Sequence, residues 1–462
     1  MVRPAADEPE PSTPPVPSYA QARRVRTVAG EYAEGLEPAG KTIPMVCLVP
    51  DRLDIAALEE AVRRLIRRHA ALRHRFVEDC GAVSLEHVSA GAVACETVEA
   101  AHLAAGTADR EAADRAVMQH VRAEVDRPFD VLGWPLLRVG VVQGGDTSVC
   151  YVSADHLVTD GWSQSLMLLE LPVLYRSVLA GSPDPLPPAA DFLLFSAAER
   201  RRFDAGSALD GPVTALRRSL GNRPLHPPFA LDLPWDETCG RYQQRPLLDA
   251  EQLRALGDWC RERKSTLFMV TLAALGVALR ECVGIEQAGV LIATHNRDEL
   301  WVQTGIGWYA NMLPLYFPVV GAIADTVPKV RRALMATLAF HELPLARAAD
   351  GMPREQVRDD RPSCFVSLTD DRSGNGDAAA PALGGPTPAG GGSPDGGPGW
   401  QRIPLAPAYR RGYGIWISLH DTGLTLATAS PAIHGNGRQL DDLEAAFAAA
   451  LGGLVPARSG GR

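Results

Sequence analysis

"YVSADHLVTDGWS", residues 151–163, sets Asp155 and His156 side by side and brings Asp160 and Gly161 in just beyond them. If the run from Val149 to Ala154 is extended, a period of two sends Val152, Ala154 and His156 to one face and Tyr151, Ser153 and Asp155 to the other. The chain then turns, because Asp160 and Gly161 are turn and cap residues and Ser163 can open a following helix. A histidine at such a strand-to-helix loop can reach into a cleft, and the ordinary imidazole pKa of about 6.5 lets it take a proton from an amine or hydroxyl near neutral pH. An aspartate four residues on can fix the loop by pairing with an arginine elsewhere. A lone histidine at a strand end is ordinarily just a satisfied polar residue. Among the eleven histidines, however, His156 alone has an aspartate four positions later, and Gly-Trp-Ser follows it.

Upstream, "RPFDVLGWPLLRVGVVQGGDTSVCYVSADH" contains two β-rich runs, Leu136 to Val142 and Ser148 to Ala154, separated by Gly144, Gly145 and Asp146. It predicts a hairpin with His156 at its far end. Before it, Leu53 to His69 carries apolar side chains at Leu58, Val62, Leu65 and Ile66, with Asp54 placed to cap an amphipathic helix, and a second helix is expected near 108–125. From Ser163 to Leu179 the pattern is helical again, although Pro172 should kink or interrupt it. "AGSPDPLPPAAD" then marks the best lobe boundary. The second half shows an apolar helix near 266–281, the β-type runs "AGVLIATH" and "SCFVSL", the segment "GIGWYANMLPLYFPV" and a final helix near 439–452. Residues 1–16 are expected to be a disordered tail, and the Gly/Pro-rich stretch 371–401 a mobile insertion.

A chain of 462 residues exceeds what one core usually fills, so two lobes are expected. The composition, 46% hydrophobic and 22% charged with a net charge of −9, is that of an ordinary globular protein and gives no basic footprint for nucleic acid. The cysteines lack any C-x-x-C pair and read as reduced residues, and neither they nor the histidines have metal-ligand spacing. The first 18 residues hold no apolar signal core, and the longest uncharged apolar stretch, Ser265 to Leu279, is shorter than the roughly 18 residues of a membrane span. A cytoplasmic enzyme or binding protein is expected.

"DHLVTDGWS" resembles the HHxxxDG core of the condensation domains of nonribosomal peptide synthetases, within the chloramphenicol acetyltransferase-like superfamily. Other stretches match the same family in the same order. "RHAALRHRF" (68–76) resembles RHExLRTxF, and "RPFDVLGWPLLRV" (127–139) resembles RPFDL followed by PLLR. "STLFMVTLAALGVAL" (265–279) resembles a later helix, and "IGWYANMLPL" (306–315) resembles GxFxNxLPLR. The resemblance runs from about residue 17 to 453. It implies an α/β (α+β) fold of two chloramphenicol acetyltransferase-like lobes in a V-shaped pseudo-dimer, here 17–185 and 186–455, with the active site at their junction.

By the same resemblance His156 is the active-site base and Asp160 and Gly161 complete the catalytic motif. Asp160 is expected to pair with Arg73 or Arg75, and Gly161 to turn its N–H towards a developing oxyanion. Asp155, Trp162 and Ser163 are supporting positions, and Trp308, Tyr309 and Asn311 are the substrate-facing wall of the other lobe. Asp155 stands where the family has its first histidine. Turned away from the cleft it would bond nearby backbone and leave His156 working; turned inward its charge would favour the protonated ring. The chain shows no adenylation or carrier domain, so a free-standing condensation enzyme is implied. An acyl or peptidyl carrier protein would deliver phosphopantetheine-bound acyl groups in trans to a small-molecule or carrier-bound amine or alcohol, with no metal and no bound cofactor. The alternatives are a degenerate domain that recruits other proteins and an acyl-CoA-dependent acyltransferase of the same superfamily.

Overall fold

The computed structural model describes residues 15–35, 42–88, 110–144, 146–204, 210–231, 240–357, 363–370, 372, 400–403, 412–431 and 437–456. In the first half, α1 (Tyr19–Ala33), β1 (Thr42–Val49) and α2 (Ile55–Arg68) lead to the hairpin β2 (His74–Asp79) and β3 (Ala82–His87). These are followed by α3 (Arg110–Asp126), the hairpin β4 (Leu137–Gly144) and β5 (Thr147–Asp155), and α4 (Gly161–Leu179). Then come α5 (Phe192–Asp204), α6 (Asp210–Leu220), β6 (Gly240–Asp249), α7 (Ala250–Glu262), α8 (Leu267–Val283), β7 (Gln287–Thr294) and β8 (Asn311–Pro318). The chain closes with α9 (Ile323–Leu338), α10 (Leu345–Asp350), α11 (Arg354–Val357), β9 (Cys364–Asp370), β10 (Gln401–Ile403), β11 (Tyr413–His420), β12 (Gly423–Pro431) and α12 (Gly437–Gly452).

Two sheets organise these elements. The first is four-stranded in the order β10-β1-β5-β4, and the second six-stranded in the order β6-β12-β11-β9-β7-β8. In the first, β5 pairs antiparallel with both β1 and β4, and the rung Thr42↔Asp155 ends its ladder with β1, so His156 stands one residue past it. The alternation expected along β5 is present. Val152 and Ala154 enter the core shared with α2 and α4, whereas Tyr151 packs with Val121 and Val125 of α3 and Ser153 Oγ donates to the Val125 carbonyl at 2.8 Å. Helix α2 buries Ala57, Leu58, Ala61, Val62, Leu65 and Ile66 in the same core, each of the larger side chains worth about 1.5–3 kcal/mol of burial. Its Asp54 cap accepts from the Ala57 N–H at 2.9 Å.

Helix α8 carries the core of the second sheet: every residue from Phe268 to Leu279 is buried. Among the described residues no single helix is long and apolar enough to cross a membrane.

Two expectations are corrected. Pro172 does not interrupt its helix, because α4 runs unbroken through it with the ring buried. The expected insertion ends earlier than residue 401: Trp400 packs on the first core and β10 pairs with β1, so a strand from the second half extends the first sheet. Residues 1–14, and 371 and 373–399 of the insertion, lie outside the described residues. The described cysteines are free, as expected.

Candidate active site

Helix α4 starts where it does because Asp160 caps it, accepting from the Ser163 N–H at 2.8 Å. The same carboxylate binds the second half of the chain. Its Oδ2 accepts from the N–H groups of Tyr309 and Ala310 at 3.0 and 3.1 Å, and its Oδ1 lies 3.1 Å from Nη2 of Arg297. Arg297, wholly buried, extends the knot by donating to the carbonyls of Val302 and Gly305 at 2.8 and 2.7 Å and to Ser163 Oγ at 2.8 Å, with its guanidinium 3.9 Å from the Tyr309 ring centre. Ser163 Oγ also accepts from the Gly307 N–H at 3.1 Å. Burial alone would raise the Asp160 pKa. The Arg297 charge, the two bonds from Ser163 and the charge of His156 outweigh it and hold the carboxyl below its ordinary value.

A second tie lies beside the first. His69 Nδ1 accepts from the Ile306 N–H at 3.3 Å, so the ring hydrogen sits on Nε2, 2.7 Å from Glu170 of α4, which Arg68 also contacts at 3.0 Å. The loop 305–310 is thus pinned to the first half at both of its ends.

Between these ties stands His156. From Tyr151 to Asp160 every other residue is buried, whereas His156 is half-buried. Its ring packs on Trp308, with centroids 4.4 Å apart and planes tilted by 46°. Next along the chain, Gly161 is exposed, and a Cβ placed there would meet no atom within 4 Å. Asp155 points the other way. Its carboxylate pairs with Arg24 of α1 at 2.6 Å and accepts the Leu157 N–H at 2.8 Å. The outward alternative for Asp155 is the one found.

Residues 38–209 match the condensation domain family. Over the whole fold, the first condensation domain of the calcium-dependent antibiotic synthetase aligns with 96% of this chain and 96% of that one, at a TM-score of 0.71 and 19% identity. Residues 38–209 thus belong to the condensation-domain family, and the whole chain has the fold of its solved members. The PapA2 acyl transferase shares the fold at a TM-score of 0.75 and 18% identity, covering 96% of this chain and 93% of that one. Malpinin synthetase of Mortierella alpina is 27% identical over 350 residues, 74% of this chain, and the match spans only 4% of the synthetase. Members of the family are acyltransferases, and condensation domains act on carrier-bound thioesters.

Against this frame of a condensation domain, several expected roles move. The partner of Asp160 is Arg297, in the loop after β7, not Arg73 or Arg75. Arg75 is exposed and pairs with Glu86 across the β2–β3 hairpin, and Arg73 sits 3.4 Å from His87. Asp160 itself has both oxygens occupied and 2% exposure, so its carboxylate is taken up by the helix cap and the ties to the second half. Trp162 donates through Nε1 to the Gln303 carbonyl at 3.0 Å and lies beside His295. Trp308 is half-buried at the site, but Tyr309 and Asn311 do not form its wall. Asn311 is buried and spans to the loop before α10, donating to His341 and Leu343 carbonyls at 3.0 and 2.8 Å and accepting from Leu345 N–H at 3.0 Å. Tyr309 is buried against Phe192 and Phe195.

The Tyr309 hydroxyl has no hydrogen-bond partner among the described residues, and burial pushes its pKa up. Tyr309→Phe should therefore leave the unfolding free energy unchanged or raise it, by up to about 1 kcal/mol, because it removes an unsatisfied buried group. Thermal unfolding of the variant checks this; a clear loss of stability would place a bound water on that hydroxyl. Among the described residues no cluster of histidine, cysteine and carboxylate side chains could hold a metal ion.

Proposed function

We propose that this chain transfers an acyl or aminoacyl group from a carrier-protein thioester to an amine or hydroxyl acceptor, in the assembly of a nonribosomal peptide or a related secondary metabolite. His156 takes the acceptor proton as the nucleophile attacks the thioester carbonyl. The new C–N or C–O bond forms, the C–S bond breaks, and the proton passes to the departing thiolate of phosphopantetheine. A carrier protein supplies that arm. Trp308 fixes the plane of the imidazole, and the Gly161 N–H, in the first turn of α4, faces the developing oxyanion.

The observation that carries the reading is the exposure pattern: one histidine left open in a buried segment, gripped through Asp160 and Arg297 at the seam between the two halves. Mass spectrometry of products from the purified protein, given loaded carrier proteins and candidate amines and alcohols, tests it. Acyl-CoA offered in parallel separates carrier-dependent transfer from CoA-dependent transfer. Carrier binding without transfer to any acceptor would replace the proposal by a recruiting role.

Gly161 gives a sharper check. A side chain there meets open space in the protein, so Gly161→Val should fold normally, and its cost should fall on substrate: KM rises or kcat falls about 10-fold or more as the branch fills the approach to His156. Unfolding curves and steady-state kinetics measured together decide this. Normal kinetics in the valine variant would place the substrate elsewhere.

A further inference from the structure

One turn of α1 holds both neighbours of His156. Gln21 and Arg24, three residues apart, share a helix face. Gln21 Nε2 donates to the Leu157 carbonyl at 2.7 Å, while Arg24 Nε and Nη2 donate to the two oxygens of Asp155 at 3.2 and 2.6 Å. The Leu157 N–H closes the ring by donating to Asp155 Oδ1 at 2.8 Å. All four residues are buried, with exposures of 2% for Gln21, 8% for Arg24, 1% for Asp155 and 0% for Leu157. Gln21 has no slack, because its Oε1 accepts from the Ser18 N–H in the capping box of α1. The start of α1 is itself anchored on α5: Tyr19 N–H donates to Glu199, Ser196 Oγ to the Val16 carbonyl and Arg200 Nε to the Pro17 carbonyl.

We infer that Gln21 and Arg24 are positioning residues that set the direction of the His156 ring from behind, with Asp155 as the arginine's handle. The inference rests on the proposed role of His156 for its consequence, but its geometry stands without it. A buried fork-to-carboxylate pair has one good arrangement, and a bond to each flanking residue leaves the intervening backbone little freedom. A misplaced general base loses rate even when it keeps its chemistry, since reacting groups must meet within a narrow range of distance and angle.

The test uses the full chain labelled at the histidine ring carbon, with the His156 signal assigned as the one lost in His156→Ala. Trp308 shifts that signal through its ring current, and Trp308→Leu shows where it lies without that contact. In Arg24→Leu, and in the milder Gln21→Leu, the His156 signal should move towards its Trp308→Leu position or broaden, while far-ultraviolet circular dichroism stays that of the parent. In turnover, kcat should fall on the order of 10-fold or more with KM held. Arg24→Lys, which keeps the charge without the fork, should restore the signal in part. If Arg24→Leu does not fold, Gln21→Leu decides alone. An unmoved His156 signal in the folded variants overturns the inference, whatever the turnover. Absence of turnover in the parent protein with a signal that does move removes the proposed function and leaves the positioning intact.

Discussion

His156→Ala is expected to lower acyl transfer by about 10²- to 10⁴-fold, the usual worth of a positioned general acid–base group, while the unfolding curve stays close to that of the parent. The two halves of the expectation have separate physical origins. In the proposed mechanism chemistry depends on this ring, the one half-exposed side chain in the segment from Tyr151 to Asp160, against Trp308 and beside the open space at Gly161. Stability should depend on it less, because the buried hydrogen bonds and ion pair between the halves of the protein run through Asp160, Arg297, Ser163 and His69, whereas the half-buried His156 ring adds its packing on Trp308. The size of the loss should vary with acceptor. A hydroxyl holds its proton far above neutral pH and needs a base in the transition state more than an amine does, so the deficit should be larger for alcohols. Rates measured with one loaded carrier and a matched amine and alcohol resolve this. Turnover undiminished in the alanine variant would sink the catalytic role.

Local chemistry made most of the fold legible. The cap at Asp54, the apolar spacing of Leu58, Val62, Leu65 and Ile66, and the glycine turn between β4 and β5 each depend on residues a few positions apart, and each lies where the pattern put it. Alternation along β5 also pointed Asp155 and His156 to opposite faces, and the structure has Asp155 turned outward. Two of the failures were of long range. Arg297 is 137 residues from Asp160, and nothing within "ATHNRDEL" distinguishes a buried arginine from the many exposed ones; the motif arginines Arg73 and Arg75 were nearer in sequence and lie elsewhere. Arg24, 131 residues from Asp155, was missed for the same reason. Tyr309 and Asn311 sit in a stretch aimed at the site, but the backbone of 309–310 faces Asp160 while the side chains serve the interior. Pro172 shows the converse: a strong local signal overridden by burial, since α4 packs along α2 and stays helical through it.

Asp160→Asn is expected to destabilise the protein by about 3–5 kcal/mol, the range seen when one partner of a buried ion pair is removed. The carboxylate serves as cap for α4, as acceptor for the N–H groups of Tyr309 and Ala310, and as counter-charge for Arg297, which is wholly buried. An amide keeps the shape but brings two donors into a site already supplied with donors, and it leaves the guanidinium with carbonyl partners and no anion. Because the loss comes mainly from the stranded charge, it should not be additive. Arg297→Met alone should cost a similar amount by leaving Asp160 without its cation, while Asp160→Asn with Arg297→Met should cost clearly less than the two together. Urea unfolding of the four proteins measures the coupling, and strictly additive losses would show that the two groups act separately. The pH dependence has a fixed sign. The folded carboxyl titrates below the unfolded value of about 3.9, so its contribution is fully present above that pH and disappears as pH falls through the lower folded value. The parent should therefore lose stability on acidification through that window more steeply than Asp160→Asn, which has no carboxylate left to protonate there. The same substitution should reduce transfer beyond what the lost stability explains, because this carboxylate, with Ser163 and His69, holds the loop carrying Trp308 to the His156 segment.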